Sequence, residues 1–369
     1  AVTNQYAIET THSYTGSEGT LYTATITVTD LEGRSHSDTY PVIIRAQNID
    51  TEINIAIDDG LWWLHKNQYR NPGDYYHGRW TSYSSYYASP TASAIQAFEI
   101  NGHLQIGDVK NDPYVETVWN GMDFLFRGGL NAVNIGTHAL GNPDSNGNGI
   151  GIQAADGVPP YQTGMVMDAL VSSQTPGELA RVGSVLFVGR PYRDIVQDME
   201  DMYAAGIYTG KTTISQLNNR NDFIGGWRYN WGDWPDNSAS QWAAIGITPA
   251  EKNWKITVPA WVKTSNDNWL WYSFTGNKFG YTNTGDGNGS SIATRPSGMV
   301  QMVMNGKHNL DPMDPRWVAA EGFFANAANW TWFLSNETYY GWYAFTKAMR
   351  LGGKGETLRN GFNWFRGND

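Results

Sequence analysis

Along the first part of the chain, apolar and hydroxyl side chains alternate. Leu21-Tyr22-Thr23-Ala24-Thr25-Ile26-Thr27-Val28-Thr29 keeps a period of two, as a half-buried strand does. Asp30-Leu31-Glu32-Gly33 supplies a turn, and Thr39-Tyr40-Pro41-Val42-Ile43-Ile44 reads as the return strand. Pro41 suits an edge position, because it has no N–H to give to a ladder. From about residue 50 the period lengthens to that of a helix, with Ile53, Ile57, Leu61 and Leu64 recurring every three or four residues. Ser89-Pro90, Asp112-Pro113 and Asp314-Pro315 each place a capping side chain before a proline preorganised for the first helical position. The pattern predicts helices over roughly 51–67, 89–101, 112–127, 160–173, 190–206, 238–247, 257–272, 294–306, 314–328 and 337–350. They pair as five hairpins. The first member of each tends to carry bulky aromatics and the second small and polar residues, which predicts two helix layers packed concentrically, outer helix then inner helix.

Composition narrows the function classes. The 369 residues contain no cysteine, which excludes disulfides, thiolate metal sites and cysteine nucleophiles. A formal net charge of −10 without a Lys/Arg cluster argues against nucleic acid and anionic membranes, both of which need a positive face. No apolar run is long enough to span a bilayer, so no membrane insertion is expected. Seventeen Trp and twenty-one Tyr suit a protein that stacks on sugars or sits in a dense surface assembly. Few charged residues, abundant Gly, Asn, Ser and Thr, sequons at Asn288, Asn329 and Asn336, and a start without Met point to an extracytoplasmic location: extracellular, cell surface or periplasmic.

Self-similarity carries a resemblance. Gly60-Leu61-Trp62-Trp63-Leu64-His65-Lys66-Asn67-Gln68, followed by Gly78-Arg79-Trp80, resembles the QW repeat of squalene cyclases, and Gly121-Met122-Asp123-Phe124-Leu125 repeats its opening with Gly129 where the Gln would stand. Gly225-Gly226-Trp227 … Asp236-Asn237-Ser238-Ala239-Ser240-Gln241-Trp242 and Tyr339-Tyr340-Gly341-Trp342 are similar to segments of the secreted members of this squalene cyclase and prenyltransferase repeat superfamily. The pattern around His12-Ser13-Tyr14, Tyr22–Asp30 and Gly33 resembles the second half of a PKD or immunoglobulin-like domain. A short β extension on the main domain is the alternative. The resemblance implies a mainly α fold: an α/α toroid of about five hairpins over 47–369, after a small β unit, a partial immunoglobulin-like sandwich, over 1–46. Gln68 and Trp80 are expected to be cement between layers.

The chemistry of that superfamily lacks its residues here. Terpene cyclases that protonate their substrate use an Asp-x-Asp-Asp acid; the nearest pair is Asp58-Asp59, expected to be solvated helix charges. Prenyltransferases hold zinc with Asp, Cys and His, and there is no Cys. His65, His77, His103, His138 and His308 show no ligand spacing, and no nucleophile elbow, phosphate loop or dinucleotide fingerprint occurs. The remaining acid/base candidates are Asp233 and Asp236, with Arg228 and Tyr229, directly before a predicted inner helix. Against catalysis, Ser238-Ala239-Ser240-Gln241 fits a capping box that Asp236 would merely complement. Asp144, Asn146, Asn148 and the Ile150 carbonyl match the opening of a calcium loop with Gly149 at its sixth position. Ala155 stands where the closing acid belongs, so Asp156 is the candidate to complete it, and Asp286–Ser290 is a weaker copy.

These readings converge on an extracytoplasmic structural or binding protein built on a catalytically retired toroid. Carbohydrate is the expected ligand class and calcium the only cofactor with residues to hold it. The apolar faces of a half sandwich need cover, which a second copy of the chain could supply by strand donation, as in a surface filament. The alternative is a polysaccharide-active hydrolase or lyase using Asp233 and Asp236.

Overall fold

The computed structural model describes residues 11–82, 86–210, 224–282, 293–310, 312–336 and 339–365. The Asp286–Ser290 loop and the Asn288 sequon lie outside the described residues. The chain divides into two compact units, Ala1–Gln68 and Tyr69–Asp369.

In the first unit β1 (Leu21–Thr29) pairs antiparallel with β2 (Ser35–Ile43), in a register running from Leu21↔Ile43 to Thr29↔Ser35. The turn between them is held by Asp30, whose Oδ1 accepts the N–H groups of Glu32 and Arg34, both at 2.9 Å. Alternation sorts the faces. Tyr22, Ala24, Ile26 and Val28 share one side, while Thr27 and Thr29 on the other pair their hydroxyls with Ser37 and Ser35, each at 2.7 Å. Ile26 is 52% exposed and Val28 56% exposed. The same unit holds α1 (Ile49–Asn67), begun by Asn48, whose side chain caps the Thr51 N–H at 3.0 Å. Asp58 and Asp59 on α1 are exposed, as solvated helix charges are.

The second unit is mainly helical, as the 3.6-residue periodicity requires. It comprises α2 (Ala88–Ile100), α3 (Tyr114–Phe124), α4 (Pro159–Ser172), α5 (Tyr192–Ala205), α6 (Asn237–Pro249), α7 (Ala260–Ser273), α8 (Thr294–Met304), α9 (Pro315–Phe324), α10 (Ala327–Asn336) and α11 (Tyr339–Leu351). Each predicted segment coincides with a helix, except that 314–328 stops at Phe324 and a separate α10 follows. Two short hairpins were not foreseen: β3 (Leu130–Asn134) with β4 (Ile150–Ala154), and β5 (Phe274–Thr275) with β6 (Lys278–Phe279). The helix starts behave differently from one another. Asp314 caps the Arg316 N–H at 2.9 Å and Asp112 accepts from Tyr114 N–H at 2.9 Å. Ser89 is no cap; α2 already begins at Ala88, and the Ser89 N–H goes to Gln162 Oε1 at 3.0 Å.

Alternate helices pack in file: α2 on α4, α4 on α6, α6 on α8, and α8 on α11, with α3, α5, α7 and α9 flanking them. The inner members α4, α6 and α8 are buried nearly all round, whereas α11 buries one face; every residue of α8 is buried, which only an interior helix tolerates. Small residues set the closest crossing. A Cβ on Gly164 of α4 would lie 2.0 Å from the Trp242 carbonyl oxygen of α6, and one on Gly246 would lie 2.8 Å from the Gly164 oxygen. Asn237 is one polar side chain inside the file that is fully engaged. Asn237 donates to Gly280 O at 2.7 Å and accepts from Trp269 Nε1 and Gln301 Nε2, both at 3.0 Å.

Candidate functional site

A cavity of about 660 Å³ opens where α2 and α4 begin. Ser89, Pro90 and Ser93 line it from the first turns of α2, Tyr161, Gln162 and Met165 from those of α4, and Ser82, Tyr86, Val158 and Tyr229 from the adjoining loops. Both helices start there for local reasons. Pro159 and Pro160 preset the first turn of α4, and Gln162 ties the two starts together, accepting from Ser89 N–H while donating to Asp156 Oδ1 at 2.8 Å. No charged side chain lines the cavity among the described residues. Its walls offer hydroxyls, one carboxamide and three phenol rings.

The aromatic wall continues inward. Tyr161 packs on Trp242 of α6 with ring centroids 5.4 Å apart, and Trp242 stacks in turn on Tyr343 of α11 at 5.5 Å. Burial pushes the Tyr161 phenol above its usual value, so it stays a neutral hydroxyl. Tyr229 shares a hydrogen bond of 2.7 Å with the Tyr281 hydroxyl, whose pKa burial raises further.

Behind Tyr343 lies a network that the sequence reading missed. Lys347 Nζ of α11 meets Asp168 Oδ2 of α4 at 2.5 Å, and the same oxygen accepts from Tyr343 at 2.9 Å and from Gln96 of α2 at 2.5 Å. Tyr343 is also 2.7 Å from Gln96 Oε1. The last helix of the file therefore touches the first two through polar side chains. Glu99, one turn beyond Gln96, is buried with neither oxygen hydrogen-bonded among the described residues; burial foremost, then the Asp168 charge, push its carboxyl well above the usual range. The available signal was Asp168 itself, a lone charge in the apolar run Gly164–Val171.

Of the four proposed catalytic residues, Arg228 and Asp236 lie together, Tyr229 lines the cavity, and Asp233 stands apart in a turn. Asp236 is fully buried and is itself the N-cap of α6, two residues before the expected capping serine: Oδ1 accepts from Ala239 N–H at 2.6 Å and Ser238 Oγ at 2.7 Å. Its Oδ2 lies 3.6 Å from Arg228 Nε. Burial raises its pKa against the lowering effect of those hydrogen bonds. Asp233 sits in an exposed turn and accepts from Asn230 at 2.9 Å. Only Tyr229 of the four reaches the cavity. The neighbouring tryptophan motif is structural as well: Trp227 is buried, donates Nε1–H to Tyr203 O at 2.9 Å and its N–H to Ser240 Oγ at 2.8 Å. Trp80 is likewise buried and packs on Phe98 at 6.3 Å.

The calcium candidates divide. Asp144 faces its own loop, accepting the N–H groups of Gly147 and Gly149 at 2.8 Å, and Asn146 and Asn148 accept from the N–H groups two residues on, Asn148 at 3.1 Å and Ile150 at 2.7 Å. Asp156 does not join them, because its carboxylate is taken by Tyr87 N–H at 2.5 Å and by Gln162. Comparison with known proteins finds no matching family model, no matching curated protein and no matching solved structure.

Proposed function

We propose that the helical unit is an α/α toroid serving as an extracytoplasmic binding module, and that the cavity at the start of α2 and α4 takes a neutral, polyhydroxylated ligand, a glycan segment. The carrying observation is the cavity wall, uncharged among the described residues and built from three tyrosines, three serines and a glutamine beside the apolar Pro90, Val158 and Met165. Tyrosine faces stack on the apolar faces of sugar rings, while serine and tyrosine hydroxyls both donate and accept, matching sugar hydroxyls without selecting charge. The volume falls within the roughly 300–1,000 Å³ of small-molecule sites. In support of the toroid, alternate helices pack in file and α11 reaches back to α2 and α4 through Tyr343 and Lys347.

The module is non-catalytic on this reading, which the buried Asp236, occupied as a helix cap, and a cavity without a lining carboxylate among the described residues support. A glycan array followed by calorimetry on the strongest hit tests it. Binding that weakens in Tyr161→Ala, without cleavage of the glycan, is the expected result. Turnover that vanishes in Asp233→Asn or Asp236→Asn overturns it in favour of a polysaccharide hydrolase or lyase. Assembly through the first unit is a second reading, supported by the exposed Ile26 and Val28 on one face of its hairpin. A concentration-independent monomer in solution scattering rejects that reading.

A further inference from the structure

The connection between β3 and β4 has oxygen-bearing side chains at the first, third and fifth positions of a calcium-type loop, Asp144, Asn146 and Asn148, then Gly149 and the Ile150 carbonyl. What it lacks in sequence is a closing acid, since Ala155 stands at the twelfth position and Asp156 is engaged at α2 and α4. The closing acid arrives from elsewhere in the chain. Asp198 of α5 is fully buried, and its Oδ1 lies 2.7 Å from the Asn146 carboxamide and 2.9 Å from that of Asn148. The third and fifth loop positions thus converge on one remote carboxylate. One helical turn on, Asp201 is also fully buried; its Oδ1 accepts the Ser145 N–H at 3.1 Å, and its Oδ2 has no hydrogen-bond partner among the described residues.

Charge balance points the same way. Asp144, Asp198 and Asp201 surround the loop, and among the described residues the one ion pair to any of them is Arg190 with Asp198 at 2.8 Å. Buried carboxylates in excess of their counter-charges are costly, and a divalent cation removes the excess. Among the described residues no three Asp, Glu or His side chains meet as a metal-binding group. The set here instead mixes two carboxylates, two carboxamides and a main-chain carbonyl, the hard-oxygen mixture that Ca2+ takes.

We propose that the loop Asp144–Ile150 and Asp198 form a Ca2+ site in which the α5 carboxylate replaces the twelfth-position acid. Without the ion, the two carboxamide N–H groups hold Asp198 Oδ1, while Oδ2 is paired in charge with Arg190 but accepts no hydrogen bond among the described residues. On binding, Asn146 and Asn148 turn over about their last side-chain bond to present oxygen to the ion, and because the turned carboxamides would set N–H against the N–H of Asn148 and Ile150, the loop backbone shifts with them. Each gives up its bond to Asp198 and its acceptance of a loop N–H in exchange for ligation. Asp144 Oδ2 accepts a single N–H, from Gly149, and keeps a lone pair for the ion. The ion would thereby fasten the β3–β4 connection to α5.

The test is titration of the EDTA-treated chain with CaCl2, followed by calorimetry and by Tb3+ luminescence. The expected Kd is roughly 10⁻⁵–10⁻³ M, the span between sensor and extracellular sites. Asp198→Asn is expected to weaken binding at least tenfold and Asp156→Asn to leave it unchanged. Because Asp198→Asn also breaks the Arg190 pair, Asn148→Asp is the companion variant; it adds a ligand charge and is expected to tighten binding severalfold. No binding up to about 10 mM Ca2+, or binding that neither Asp198→Asn nor Asn148→Asp alters, overturns the proposal and leaves a metal-free Asn–Asp clasp.

Discussion

Replacing Asp236 by Asn and by Ala separates its role as a helix cap from any role as an acid. Its Oδ1 accepts from the Ala239 N–H and the Ser238 hydroxyl, and Asn237, Ala239 and Ser240 around it are fully buried, so water cannot replace a lost acceptor. Loss of an N-cap costs about 1 kcal/mol, and leaving a buried donor unsatisfied costs about 1–3 kcal/mol. The two overlap, and removing a desolvated carboxylate gives part back, so Asp236→Ala is expected to destabilise by about 2–3 kcal/mol. Asn keeps the acceptor and loses the weak pairing with Arg228, so Asp236→Asn is expected to stay within about 1 kcal/mol of the parent. At about 2 cal/mol/K of unfolding entropy per residue, a cooperative unit of about 300 residues translates 2–3 kcal/mol into a Tm fall of about 3–5 °C. Calorimetry and urea melts check both variants, with exposed Asp233→Ala as a control expected within about 0.5 kcal/mol. If Asp236→Asn loses as much as Asp236→Ala, the charge rather than the cap holds α6, and the argument fails.

Gly164→Ala is expected to destabilise by about 1–3 kcal/mol in urea melts, despite alanine's better helix propensity, because its Cβ would meet the Trp242 carbonyl at 2.0 Å. For Glu99 the folded pKa is raised, so its contribution is complete below the ordinary value of 4.5 and is lost as pH rises through the folded value. Stability should therefore be higher at about pH 5 than at about pH 8, and Glu99→Gln should reduce that difference in paired urea melts, the raised Glu200 and Asp201 carboxyls keeping the rest. Tyr161→Ala is expected to weaken glycan binding by about 3–10-fold in calorimetry, the value of one ring stack, with unchanged far-UV circular dichroism.

What the sequence determines by itself is local. Hydrophobic period, proline placement and capping side chains act within one or two turns, so the helices, the Asp112 and Asp314 starts and the β1–β2 hairpin are legible without tertiary information. Local signals also misled where two devices competed: Ser89 resembles a cap, but Gln162 claims its N–H and α2 starts a residue earlier. The site was decided by packing. Asp168 and Lys347 are 179 residues apart and meet only because α11 closes on α4, and the close approach at Gly164 exists only when α6 crosses α4. Asp236 precedes α6, as the sequence predicts for a helix start, yet its complete burial as the cap follows from the neighbours that cover it. The Asp144–Ile150 loop shows the same division: Asp144, Asn146 and Asn148 are a local spacing, whereas Asp198, the carboxylate on which the two asparagines converge, comes from α5. Dihedral preference and periodicity act over a few residues, while which side chains face one another depends on contacts that no short window of sequence contains.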